Sequence, residues 1–152
     1  MENDFIHLGR RLLKAYAKRD YFQVSDIALR YLDVAEQYPN SRNYGNAIHQ
    51  ANTLLGLVEL HRGHIDRATD YLLSSARTPG SAQIKTFGPN MLLAERLLAL
   101  GQRRAVVRYL KACRRLWLLS FGTLWIWSWQ IQRGATPNFG ANLSYLTDFK
   151  SF

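Results

Sequence analysis

The sequence predicts an all-α protein, and three observations carry that prediction. A 38-residue internal repeat sets NTLLGLVELHRGHIDRATDYLLSSA, from Asn52, above NMLLAERLLALGQRRAVVRYLKACR, from Asn90. Within each copy, apolar residues recur at helical spacing up to a single glycine, Gly63 or Gly101, and then resume. The connections at those glycines are very short, which forces consecutive helices to pack antiparallel.

A first hairpin is expected over residues 4–39. Its opening helix runs from about Asp4 to Lys18, with Asp20 and Tyr21 in the turn. Its second helix, VSDIALRYLDVAEQYP, is a weaker third copy of the repeat. Ile27, Ala28, Tyr31, Leu32, Ala35 and Pro39 align there with Arg67, Ala68, Tyr71, Leu72, Ser75 and Pro79.

The second hairpin is expected over 42–78 and the third over 89–116, with Pro89 placed to open a helix. Gly56 aligns with Ala94 in mid-helix, where glycine costs about 1 kcal/mol relative to alanine. A packing reason is therefore expected: a small residue lets Ala68 and Ser75, or Val106 and Cys113, approach closely. TPGSAQIKTFGPN, residues 78–90, reads as a connector.

Residues 117–133 are expected to form an apolar capping helix. Sixteen residues, 116–131, would reach about 24 Å as a helix, short of the roughly 30 Å of a bilayer core, so no transmembrane span is expected. Trp117, Phe121, Trp125 and Trp129 make one stripe at steps of four, and Leu124, Trp127 and Ile131 make another. A helix apolar all round is buried on more than one side. One stripe is expected to close the end of the stack. The other needs Phe139, Leu143, Leu146 and Phe149 of the tail (134–152) as cover, or a second copy of the chain in a homodimer.

The residues just quoted resemble the tetratricopeptide-repeat family: the Leu55–Gly56 pair, turn Gly63, Ala68, Leu72 and Pro79 follow its pattern in order. Asn52 and Glu59 stand where that family has large aromatics, and the repeat exceeds its usual length of about 34 residues. The resemblance implies a single domain over 1–152, a right-handed α-solenoid of about three hairpins. It also implies a groove lined by first helices whose amides hold a partner's backbone. The residues expected there are Asn43, Asn46, His49, Gln50 and Thr53, with Asn90 on the equivalent helix. Amide side chains suit that task because each offers a donor and an acceptor. A basic clamp for carboxylate termini is not reproduced on these two helices.

Charge points to a second surface. The net charge is +9, and from Arg96 to Arg133 every charged residue is basic. Arg104, Arg108, Lys111 and Arg115 share one face of the helix that ends near Trp117, a stripe suited to an acidic protein, or less well to nucleic acid. His61 and His64 flank the turn glycine without the companions a metal site needs, and the lone Cys113 falls on a small core position.

No metal or cofactor is expected, and no phosphate loop, nucleophile elbow or carboxylate pair supports an enzyme. The expected function is non-enzymatic binding of a protein or peptide. One specific form is a bacterial immunity or inhibitor protein that plugs a toxin. Nucleic-acid binding and membrane-surface association through the basic half are the alternatives. The single cysteine and the absence of an apolar leader lead to the expectation of a cytoplasmic location.

Overall fold

The computed structural model describes residues 2–147. The chain is helical throughout, with no strand among the described residues. Its helices are α1 (Glu2–Ala17), α2 (Tyr21–Ala35), α3 (Tyr44–His61), α4 (Ile65–Ser75), α5 (Ala82–Phe87), α6 (Leu92–Ala99), α7 (Arg103–Cys113) and α8 (Thr123–Gln132), followed by a 3-10 turn at Gly140–Leu143.

Local chemistry explains most of the boundaries. Asp20 caps α2 by accepting the Gln23 N–H at 3.1 Å. Gly63 and Gly101 adopt φ of 83° and 80°, the left-handed conformation that ends α3 and α6. Amphipathic spacing then sets the faces. Helix α1 buries Phe5, Leu8, Leu12 and Leu13, and α7 buries Val106, Tyr109, Leu110 and Cys113.

Helix α3 lies at the centre. It packs on α1, α2, α4 and α6, and every residue from Gly45 to Glu59 except Ile48 is buried. Beyond it, α4 packs on both α6 and α7, and α7 on α8. The mid-helix glycine of α3 has the packing reason expected of it. A Cβ on Gly56 would lie 2.3 Å from Leu93 Cδ2 and 3.3 Å from the Ala68 carbonyl oxygen. Gly56→Ala should therefore lower the unfolding free energy by about 1–3 kcal/mol in urea denaturation, the cost of overpacking outweighing a helix-propensity gain of about 1 kcal/mol. A stabilised variant would show that α3 and α6 separate freely.

Three boundaries differ from the sequence expectation. Residues 82–87 of the expected connector form α5, because Ser81 accepts the Ile84 N–H at 3.1 Å and Gly88, at φ 88°, ends the turn over a fully buried Ile84. Helix α6 opens at Leu92 and not at Pro89. The Asn90 side chain takes the Leu92 N–H at 2.9 Å, and the Met91 N–H goes to the Asn142 carbonyl of the tail at 2.7 Å.

Helix α8 starts at Thr123 and not at 117. Phe121 (φ 50°) and Gly122 (φ 87°) are both left-handed, and two such residues in succession break a right-handed helix.

The expected four-residue aromatic stripe is accordingly divided. Trp117 lies before the break, half-buried, and donates its indole N–H to the Thr86 carbonyl at 3.2 Å. Phe121, Trp125 and Trp129 stay 88%, 65% and 49% exposed. The other stripe, Leu124, Trp127 and Ile131, is buried. The tail covers that same stripe, not the open one: Phe139 meets the Trp127 ring edge-on at 5.0 Å. Leu146 is buried and Leu143 half-buried, while Phe149 lies outside the described residues.

Candidate functional site

Two regions carry the residues singled out from sequence, and the fold treats them in opposite ways. The polar row of α3 faces inward. Asn46, His49, Gln50 and Thr53 are buried, as is Asn90, and Asn43 is half-buried. The expected open groove is thus replaced by a closed polar seam whose side chains hold the chain's own segments.

His49 is fully buried. Its Nδ1 lies 2.9 Å from the Ser75 carbonyl at the end of α4, and its Nε2 accepts the Asn90 N–H at 2.9 Å. These partners define the tautomer, with the proton on Nδ1 and a neutral ring. Burial pulls its pKa down to about 4, against the opposing pull of the Ser75 carbonyl.

Asn90 donates from Nδ2 to the Tyr145 carbonyl and, at 3.1 Å, to Thr147 Oγ1. Its own carbonyl accepts the Tyr109 hydroxyl at 2.8 Å. Gln50 donates to the Leu146 carbonyl at 3.2 Å. Asn46 joins α5 to α3, donating to Gln83 Oε1 at 3.3 Å and accepting from Ser81 Oγ at 2.5 Å. Thr53 Oγ donates back to the His49 carbonyl at 2.8 Å, and Asn43 donates to the Tyr31 hydroxyl at 2.8 Å.

The amides do hold an irregular backbone, as such residues are suited to do. That backbone is the tail of the same chain.

Sequence reasoning missed Asn142, which locks this tail in place. Its Nδ2 donates to the Phe87 carbonyl at 2.9 Å and the Pro89 carbonyl at 3.0 Å. A turn-rich NFGAN stretch signals a fixed loop, but nothing in it names those acceptors.

The carboxy-terminal end faces outward. Arg104, Arg108, Lys111 and Arg115 are all exposed, but α7 ends at Cys113 and not near Trp117, so Arg115 lies in the turn beyond the helix that carries the other three. Arg115 also has a structural task, donating to the Thr78 and Ala76 carbonyls at 2.8 and 2.6 Å and so neutralising the orphan end of α4. A cleft of about 560 Å³ between α7 and α8 is lined by Arg103, Arg104, Val107, Arg108, Ile131 and Gln132. Six large exposed apolar residues lie in α8 and the segment before it: Leu118, Leu119, Phe121, Trp125, Ile126 and Trp129. Arg133 lies 4.6 Å over the Trp129 ring, a cation–π contact that joins the basic and aromatic surfaces.

The remaining chemical candidates are structural. His61 packs against Tyr21 at 4.1 Å between ring centroids. His64 Nδ1 lies 2.6 Å from Glu59 Oε2, and Arg62 bonds Glu59 Oε1 at 3.0 Å. Burial raises the Glu59 pKa, but those two hydrogen bonds together with the charges of Arg62 and His64 outweigh it and hold the carboxyl below its ordinary value. No three metal-ligating side chains gather among the described residues. The Cys113 thiol is fully buried, and burial pushes its pKa up to about 12, so it packs and does not react.

No family model, curated protein or solved structure matches this chain. The class the geometry defines is therefore a helical protein with a closed polar interior and one basic, aromatic face. None of the helices among the described residues is long and apolar enough to cross a membrane.

Proposed function

We propose that this protein is a non-enzymatic binding module that docks on a partner protein through the aromatic ridge of α8 and the arginines beside it. In this reading α1–α2, α3–α4 and α6–α7 are three tetratricopeptide-like hairpins stacked as a right-handed α-solenoid, and α8 closes the stack. The observation that carries the reading is the ridge itself. Six large apolar side chains are left in water within the twelve residues 118–129, whereas the other exposed ones among the described residues, Ile6, Phe22, Leu29, Phe87 and Leu100, are scattered along the chain. A concentration of this kind marks an interaction surface, and tryptophan and arginine are the residues that dominate binding energy at such surfaces.

Charge selects among partners. Every charged residue from 96 to 133 is basic, so a second copy of the chain would place like charges opposite one another. An apolar surface with an acidic rim is the complement.

The test is to cross-link the protein in its native cell, identify the captured partner and reconstitute the pair from purified components. Trp125→Ser with Trp129→Ser should weaken binding by about 30-fold or more, which corresponds to about 2 kcal/mol. Arg104→Gln with Arg108→Gln should mainly slow association and flatten its salt dependence. Undiminished affinity in the tryptophan variant would remove the ridge from consideration.

One observation favours a second reading. Exposed tryptophans beside arginines are also the composition of a membrane-interface anchor. Cosedimentation with phosphatidylserine vesicles, lost in the tryptophan variant and absent with neutral phosphatidylcholine vesicles, would establish that alternative.

A further inference from the structure

A cleft of about 220 Å³ opens between α1 and α3, and none of its lining residues belongs to α7 or α8. Arg10 of α1 and Arg42, just before α3, stand at it, with no carboxylate among the lining residues. Neither arginine makes an ion pair or hydrogen bond among the described residues. Two guanidinium groups thus stand at one concavity with no carboxylate lining it to neutralise their charge.

The floor is polar and fixed. Tyr31 is almost fully buried, and its hydroxyl accepts the Asn43 amide at 2.8 Å, yet its own proton has no acceptor among the described residues. Burial pushes the Tyr31 pKa up to about 12, so the phenol stays protonated and able to donate. Gln50, also buried, uses Nε2 on the tail and leaves Oε1 without a donor among the described residues. Gly9 keeps the floor open: a Cβ there would lie 2.8 Å from Tyr31 Oη and 3.3 Å from Gln50 Oε1.

We propose that this cleft binds a phosphate group, held by Arg10 and Arg42 with the Tyr31 hydroxyl donating from the floor. Guanidinium forks match phosphate oxygens in pairs, and the two positive charges of the site balance the charge of about −1.5 to −2 that a phosphomonoester carries at neutral pH. A carboxylate would leave one of those charges uncompensated. The space is ample: at about 30 Å³ per water, the cleft has room for the anion with several waters.

The experiment is calorimetric titration of the full chain in low-salt buffer with inorganic phosphate, with O-phosphoserine, and with acetate. Saturable one-to-one binding of a phosphate ligand is expected, with acetate weaker by about tenfold or more. Arg10→Gln and Arg42→Gln should each weaken phosphate binding by about tenfold or more, while Arg30→Gln, which lines a different cleft, should change it by less than about twofold.

Thermal melts should show all three variants folded, since these side chains are exposed. O-phosphoserine binding more tightly than inorganic phosphate identifies a phosphoester as the source; the reverse order identifies free phosphate. Absence of saturation at millimolar phosphate, acetate binding as tightly as phosphate, or equal losses in Arg30→Gln would each overturn the assignment.

Discussion

Asn90→Ala is expected to lower the unfolding free energy by about 2–4 kcal/mol, well beyond the roughly 1 kcal/mol of an average substitution. The reason is that one side chain serves two groups with no other partner among the described residues, the Leu92 N–H and the Tyr145 carbonyl, and also donates to Thr147 Oγ1, which itself bonds the Leu143 and Ser144 carbonyls. Its Oδ1 takes the Leu92 N–H in the first turn of α6, and its Nδ2 serves both the Tyr145 carbonyl and Thr147 Oγ1. Loss of a cap of this kind costs about 0.5–2 kcal/mol, and each buried polar group left without a partner about 1–3 kcal/mol, with incomplete additivity because the groups are neighbours.

Urea denaturation measures the total. Limited proteolysis measures the mechanism: cleavage between Phe139 and Tyr145 should accelerate as the tail loses its hold. Asn90→Asp keeps the cap acceptor but places a carboxylate against the Tyr145 carbonyl, so it should not rescue the tail. A loss below about 1 kcal/mol in Asn90→Ala would mean that the tail and α6 do not depend on this side chain.

His49 makes the same junction sensitive to acid. Its folded pKa of about 4 lies below the unfolded value of about 6.5, so between those limits the unfolded chain binds more protons. Its contribution is therefore fully present above pH 6.5 and is lost as the pH falls toward 4. Linkage puts the loss at about 2 kcal/mol between pH 7 and pH 5 and about 3 kcal/mol in all.

Structurally, a proton on Nε2 would confront the Asn90 N–H donor-to-donor, severing α3 from the segment that begins the next hairpin. Denaturation curves at pH 7 and pH 5 test this against His49→Gln. That variant should be less stable at pH 7 but nearly free of the decline. Parallel pH profiles in the two proteins would show that some other group carries the acid sensitivity.

Much of the local structure was legible. Gly63 and Gly101 could be assigned left-handed turns because each follows a run of helical periodicity and no other residue type turns there at so little cost. Gly56 could be assigned a close approach because glycine in mid-helix otherwise only destabilises. Helix α5 was legible in principle, with Ser81 as cap and Gly88 as stop, but a six-residue helix carries too little periodicity to stand out from a turn-rich connector.

The break before α8 was written in Gly122. It was obscured by aromatic residues that keep a step of four straight through it.

The candidate sites divide along the same line. The basic stripe was legible because charge on one helix face goes to solvent unless an opposite charge meets it, and no acid lies between residues 96 and 133. The polar row of α3 was not. Amides at helical spacing look alike whether they face water, a partner or a distant part of the same chain, and Gln50 meets its acceptor 96 residues away.

From sequence alone, then, came where the chain turns, which helix faces are apolar and which half is positive, since each depends on residues within a few turns of one another. Tertiary structure alone decided that the amide row closes over the tail and that Trp125 and Trp129 stay open to solvent while Trp127 is covered. The first outcome depends on backbone carbonyls, which every residue possesses and no residue type announces, and the second on which of two apolar stripes the tail packs against.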